Sequence, residues 1–168
     1  MLQAIFNGSL GALLLLLISM EAGDCYATKF PLGPPEKGKV DAAFCGKWQS
    51  QDGKMTVAIS NFNDHEYLVL QVGEDNKPNA YAGFIVDVKG AHFAHVGPLT
   101  TDGKTPEQWI LQRVELKDQQ LVVRDLSKSF FEAKNPTSAD ELRKLVEDHV
   151  NEDAIYEGSG NVLTRVAE

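Results

Sequence analysis

The sequence predicts a mainly β protein: an eight-stranded up-and-down antiparallel barrel with one C-terminal α-helix before the last strand. Three observations carry this. Short segments with period-two alternation follow one another from Lys47 to Asp125, divided by turn residues. The period then becomes helical behind Ser138. One further alternating segment, Asn161 to Val166, ends the chain. It must return to pair with the first strand, because closure removes exposed sheet edges.

Residues 1–27 read as a signal peptide or an N-terminal membrane anchor. Met1 to Met20 carry no charged side chain and contain the apolar run Leu10 to Ile18. That run suits a signal core better than a spanning helix, which needs about 20 apolar residues. Three fates remain open. The segment is released after Ala22 or Ala27, or it directs a lipid onto Cys25, or it stays as an uncleaved anchor. Asp24 stands where a lipidation signal wants a small residue. Each fate places the domain outside the cytoplasm, secreted, periplasmic or held at the cell envelope. Membrane association then runs through this segment or through Cys25.

Residues 28–39 form a Pro/Gly-rich linker or strap, with Pro31, Gly33, Pro34, Pro35 and Gly38. The barrel domain spans residues 40–168. Its predicted strands are Lys47 to Gln51, Met55 to Ser60, His65 to Val72, Ala80 to Val88, Ala91 to Val96, Gln108 to Leu116 and Gln120 to Asp125. Lys89-Gly90 is a two-residue hairpin turn. Ser127 to Lys134 reads as a short helical turn. Ser138-Ala139-Asp140-Glu141 is a capping-box pattern opening a helix. Leu142, Leu145, Val146, His149 and Val150 lie on its apolar face, and Glu147 and Asp148 on its solvent face.

Alternation assigns Met55, Val57, Ile59, Leu68, Leu70, Val72, Phe84, Val86, Ile110, Val114, Leu121 and Val123 to the barrel interior, with Gln112 on the same face. The candidate ligand-lining set is Leu68, Leu70, Phe84, Val86, Ile110, Gln112, Val114 and Val123. A barrel of eight strands is either just filled by side chains or holds one small ligand. With so few polar liners, the expected guest is apolar and lipid-like.

Other chemistry is thin. Lys plus Arg is 16 against 24 Asp plus Glu, a net charge of −8, so no nucleic-acid partner is expected. Two cysteines exclude a Cys-rich zinc site, although a Cys25–Cys45 disulfide is permitted if Cys25 is retained. Otherwise Cys45 reads as a small buried hydrophobe. His92 and His95 lie three apart on a strand and point to opposite faces, so they do not share a metal. His65 reads as a solvated turn residue and His149 as a satisfied core histidine. Gly158-Ser159-Gly160 lacks the setting of a nucleophile elbow. No catalytic residue, metal site or cofactor is predicted, and a monomer is expected.

Gly46-Lys47-Trp48 opens the first strand, and Thr164-Arg165 sits in the last. This layout resembles the calycin superfamily, which includes the lipocalins. The resemblance implies that Gly46 and Trp48 begin strand one and that Arg165 packs on the Trp48 ring, closing the barrel floor. The stretch Cys25 to Asp41, with Tyr26-Ala27-Thr28-Lys29-Phe30-Pro31-Leu32-Gly33, also resembles the start of small bacterial secreted or lipoprotein-like proteins of undefined activity. No second lipocalin motif is present, so a large cavity is not implied. The function expected is an extracytoplasmic lipocalin-like barrel holding a small apolar molecule. The alternative is an envelope structural or protein-interaction module with a filled barrel. An enzyme is the third reading.

Overall fold

The computed structural model describes residues 25–99 and 106–167. Among these, nine strands run in the order β1 (Ala27–Thr28), β2 (Gly46–Ser50), β3 (Thr56–Asn61), β4 (Tyr67–Val72), β5 (Pro78–Val88), β6 (Ala91–Pro98), β7 (Trp109–Lys117), β8 (Gln120–Asp125) and β9 (Asn161–Arg165). Helices α1 (Lys128–Lys134) and α2 (Ala139–His149) separate β8 from β9. Strands β2 to β8 pair consecutively, and β9 inserts between β8 and β2. Every pairing is antiparallel. The result is a closed eight-stranded barrel, as the alternation predicted.

β1 is an addition. Ala27 and Thr28 pair with Ile110 and Trp109, and Cys25 bridges Ser127 where β7 and β8 part. Tyr26 is buried, and its ring stacks on Phe131 with centroids 4.7 Å apart. Tyr26 and Ala27 therefore pack with the barrel, although the sequence reads them as the end of an address segment. Two residues are too few for an alternation to show.

There are two cores. Inside the barrel lie Trp48, Val57, Tyr67, Val69, Tyr81, Val96, Val114, Leu121, Val123 and Leu163. Outside it, Val88, Phe93, Leu111 and Leu126 are covered by Tyr26, Leu32, Phe131, Leu142, Val146 and Ile155. The second core explains why the amphipathic helix forms: burying Leu142, Val146 and Val150 gives a short helix the tertiary packing it needs. Ser138 caps it, its hydroxyl accepting from the Glu141 amide at 3.2 Å. The Glu141 carboxylate accepts from Thr137, at 2.8 Å from the amide and 2.9 Å from the hydroxyl, one residue further back than a reciprocal capping box. His149 is half-buried, with Nδ1 2.9 Å from the Glu152 carboxylate and its ring edge-on to Phe130.

The interior assignment needs correction on β4 and β5. Tyr67 pairs with Gly83 and Val69 with Tyr81, so Tyr67, Val69 and Gln71 point inward. Leu68 and Leu70 face outward, along with Val72, and Leu70 is 39% exposed. On β5, Tyr81, Gly83 and Ile85 face the lumen. Phe84 and Val86 face outward, toward the strap and helices. Phe84 pairs with and stacks on His95, which meets Leu32 of the strap, and Val86 packs with the outer core. The cause is physical. Both faces of these strands are apolar, so alternation allows two registers, and a one-residue slip exchanges the faces. The inner face of β4 carries polar tips that find donors or acceptors nearby. The Tyr67 hydroxyl accepts from the Asp41 amide at 2.7 Å, and Gln71 Nε2 donates to Met55 Sδ at 3.1 Å.

Candidate functional site

The barrel is closed at the end where β2 begins and β9 finishes. A short 3-10 turn, Ala42–Phe44, leads into β2 and is capped by Asp41, which accepts from the Ala43 amide at 2.8 Å. Trp48 is fully buried and donates through Nε1 to the Phe44 carbonyl at 3.0 Å. The Arg165 guanidinium carbon lies 4.3 Å from the Trp48 ring. Its Nη1 donates to the Cys45 carbonyl at 2.7 Å and its Nη2 to the Ala43 carbonyl at 2.5 Å. Gly46 has φ +139°, and a Cβ there would stand 2.5 Å from Arg165 Nη1. Only glycine admits both the backbone conformation and the guanidinium. With the indole buried and the guanidinium partly buried, the stack is worth about 1–2 kcal/mol.

Inside the lumen a cavity of about 60 Å³ remains. Its walls include Val57, Ile59, Val69, Ile85, Ala94, Val114, Val123 and Leu163. Of the sequence candidates, Ile110, Gln112, Val114 and Val123 lie on the inward face, with Val114 directly opposite Val123. Leu68, Leu70 and Val86 do not, and Phe84 borders the cavity although its ring stacks on His95 on the outer face. Tyr67, Val69, Ile85, Ala94 and Leu163 take part instead, and alternation alone carried no signal that separated them from their neighbours.

At the far end, Gln112 Nε2 donates to Asp125 Oδ1 at 2.8 Å. Burial raises the Asp125 pKa above the usual carboxylate range, against the hydrogen bonds from Gln112 and the Cys25 thiol, which lower it. Cys25 is thus tied to Asp125, while Cys45 Sγ donates to Asn61 Oδ1 at 3.0 Å beside Arg165. The thiols sit at opposite barrel ends and are not bonded to each other, so the permitted Cys25–Cys45 disulfide does not form.

His92 and His95 occupy opposite faces of β6, His92 on the lumen side beside Phe44 and His95 on the outer side. His95 is completely buried and stacks on Phe84 at 4.4 Å with an interplanar angle of 6°. Its Nε2 lies 2.8 Å from the Leu32 amide. A backbone amide only donates, so Nε2 is the unprotonated nitrogen. Its Nδ1 finds no well-formed hydrogen bond. Burial pulls the imidazole down to about 3, and backbone groups of Phe93 and Phe84 offset only part of this.

A recess of about 880 Å³ lies between the strap, the β5–β6 hairpin and the start of α2. Its volume falls in the range of small-molecule sites, about 300–1,000 Å³. Phe44, Tyr67 and Ile85 separate it from the lumen, since they line both spaces.

No protein-family model, curated protein or solved structure matches this chain. The class that the fold and its closed end define is a closed eight-stranded antiparallel barrel, stoppered by a tryptophan–arginine pair and wrapped by its own N-terminal segment and helices.

Proposed function

We propose that the chain is a calycin-like module of the extracellular space or cell envelope, in which the barrel is a filled scaffold and partners are met on its outer surface. The lumen carries this reading. A cavity of about 60 Å³ is far below the roughly 300 Å³ at which small-molecule sites begin. The Gly46–Trp48–Arg165 closure supports the calycin assignment, and the apolar run Leu10 to Ile18 supports export. Processing ahead of Cys25 suits the fold better than cleavage after Ala27, which would remove the buried Tyr26. Cys25 is then retained as the candidate point of lipid attachment.

A second reading keeps a small lipid-like guest in the lumen. The nearly all-apolar lining favours it, because an apolar guest gives up no hydrogen bonds on entering. Such a guest would have to displace Phe44 or Tyr67.

Two measurements test the proposal together. Native mass spectrometry of the mature protein, purified from its own envelope, reads the processing site, any lipid on Cys25 and any retained guest. Methyl NMR of Val114, Val123 and Leu163 during fatty-acid addition reads the lumen. Unshifted lumen methyls and no lumen guest are expected. Saturable methyl shifts would overturn the filled scaffold in favour of the second reading.

A further inference from the structure

We propose that the recess beside the strap is a binding site for a single amphipathic anion, a molecule with an apolar body and one negatively charged head. The inference shares with the reading above only the placing of binding outside the lumen.

The recess is held open by protein–protein bonds. The strap is fastened at Leu32, whose amide donates to His95 at 2.8 Å and whose carbonyl accepts from Arg143 Nη1 at 2.9 Å. It is fastened again at Gly38, whose carbonyl lies 2.9 Å from His65 Nδ1, and at Asp41, bonded to the Tyr67 hydroxyl. At Gly38 a Cβ would stand 2.9 Å from the His65 carbonyl oxygen, so the chain lies as close there as a glycine allows. Walls fixed before a ligand arrives lower the ordering cost of binding.

The floor is apolar, formed by Phe44, Tyr67, Ile85 and Val86. The charges around it are unequally committed. Arg143 is spent on the Leu32 and Asp87 carbonyls and the Glu147 carboxylate. Asp41 accepts from the Ala43 amide, and Asp87 accepts from the Gly90 amide beside His92. Asp140 sits in the first turn of α2, where the helix dipole favours a carboxylate. The Lys37 and Lys39 side chains are exposed, and their ammonium groups make no hydrogen bond or ion pair among the described residues. Two uncommitted ammonium groups beside an apolar floor suit an anionic head and an apolar body. Strap, hairpin and helix wall the space, so the ligand enters as one molecule from water rather than as part of a bilayer.

The test uses the full mature chain and a fluorescent fatty-acid analogue with a free carboxylate, alongside its methyl ester. Saturable one-to-one binding of the carboxylate is expected, weaker for the ester and weaker at high salt. K37Q/K39Q is expected to weaken it about fivefold or more, from two partly screened charge contacts. Ala139→Trp, built into the recess wall, is expected to weaken it further, while Ala94→Leu, which fills the lumen, leaves it unchanged. The Lys variants alter exposed side chains, so a folding defect in Ala139→Trp leaves the test intact. Equal affinity in K37Q/K39Q, or binding only to phosphatidylglycerol vesicles, would overturn the inference and leave the filled scaffold standing. Loss of binding in Ala94→Leu alone would overturn both.

Discussion

Arg165 and Trp48 are direct partners across β9 and β2, and the guanidinium stands 4.3 Å from the indole ring. The contact joins the last strand to the first, which is the step that closes the barrel. It also carries the turn ahead of β2, since the same guanidinium is bonded to the Ala43 and Cys45 carbonyls. Three short-range facts, a glycine, a ring and a cation, thereby fix a long-range connection. Gly46→Ala is expected to cost about 1–3 kcal/mol, from a Cβ forced on a left-handed backbone against Arg165. Trp48→Ala is expected to cost about 3–5 kcal/mol as a buried aromatic truncation. Urea denaturation reads both, and an unchanged midpoint in either variant contradicts the closure.

Stability is expected to fall as pH drops from about 6.5 toward 3. His95 is depressed to about 3 in the fold, against 6.5 for the free side chain. Between those values the unfolded chain binds the extra proton, so acid favours unfolding, and the His95 contribution is complete only above about 6.5. Protonation also removes the acceptor that holds the Leu32 amide. Asp125, raised by burial, acts with the opposite sign, so a direct comparison is needed. His95→Gln keeps an acceptor without titrating. The stability lead of the parent over His95→Gln is expected to narrow as pH falls through the window. A constant difference would place the titration elsewhere.

Ser138→Ala is expected to cost about 1 kcal/mol, the ordinary loss of an N-cap. Glu141→Gln is expected to cost less, because its bonds to Thr137 lie on the exposed side of the turn. Amide exchange along Ala139–His149 separates the two from a general loss of stability. Unchanged protection in Ser138→Ala at equal stability would show that the helix does not depend on this cap.

The strand count, the helix and the final return strand were legible because turns and periods are local properties of the chain. The β7 and β8 faces were legible too, since Glu115 and Arg113 mark one side of β7 as outer and Gln112, opposite Asp125, is the single polar intruder on the other. β4 and β5 were not. Phe84, stacked on His95, and the partly buried Val86 lie outside the barrel, where Leu32 and its neighbours, a segment dozens of residues away, cover the sheet, and hydrophobicity alone does not say which side buries a residue. The recess was illegible for the same reason. It exists only where strap, hairpin and helix meet, and neither Lys37 nor Lys39 differs in sequence from an ordinary surface lysine.

Phe44 marks the boundary between the two spaces, and its removal tests how they are kept apart. Its ring is 95% shielded, packs edge-on to Tyr67 at 6.4 Å and edge-on to His92 at 6.1 Å, and its carbonyl holds the Trp48 indole. The carbonyl survives truncation, so Phe44→Ala leaves the Trp48–Arg165 closure in place and deletes only the stopper. The loss is expected to be about 3–5 kcal/mol, a transfer cost plus the cavity left behind. With the ring gone, the lumen of about 60 Å³ opens toward the recess of about 880 Å³. A small apolar probe such as xenon or benzene, which occupies dry apolar cavities, is then expected to bind the variant and raise its melting temperature, while the parent responds weakly. Val114 and Leu163 methyl resonances report whether the probe has reached the lumen. A variant destabilised as expected but indifferent to the probe would mean that Tyr67 and Ile85 collapse into the gap, leaving the lumen sealed without Phe44.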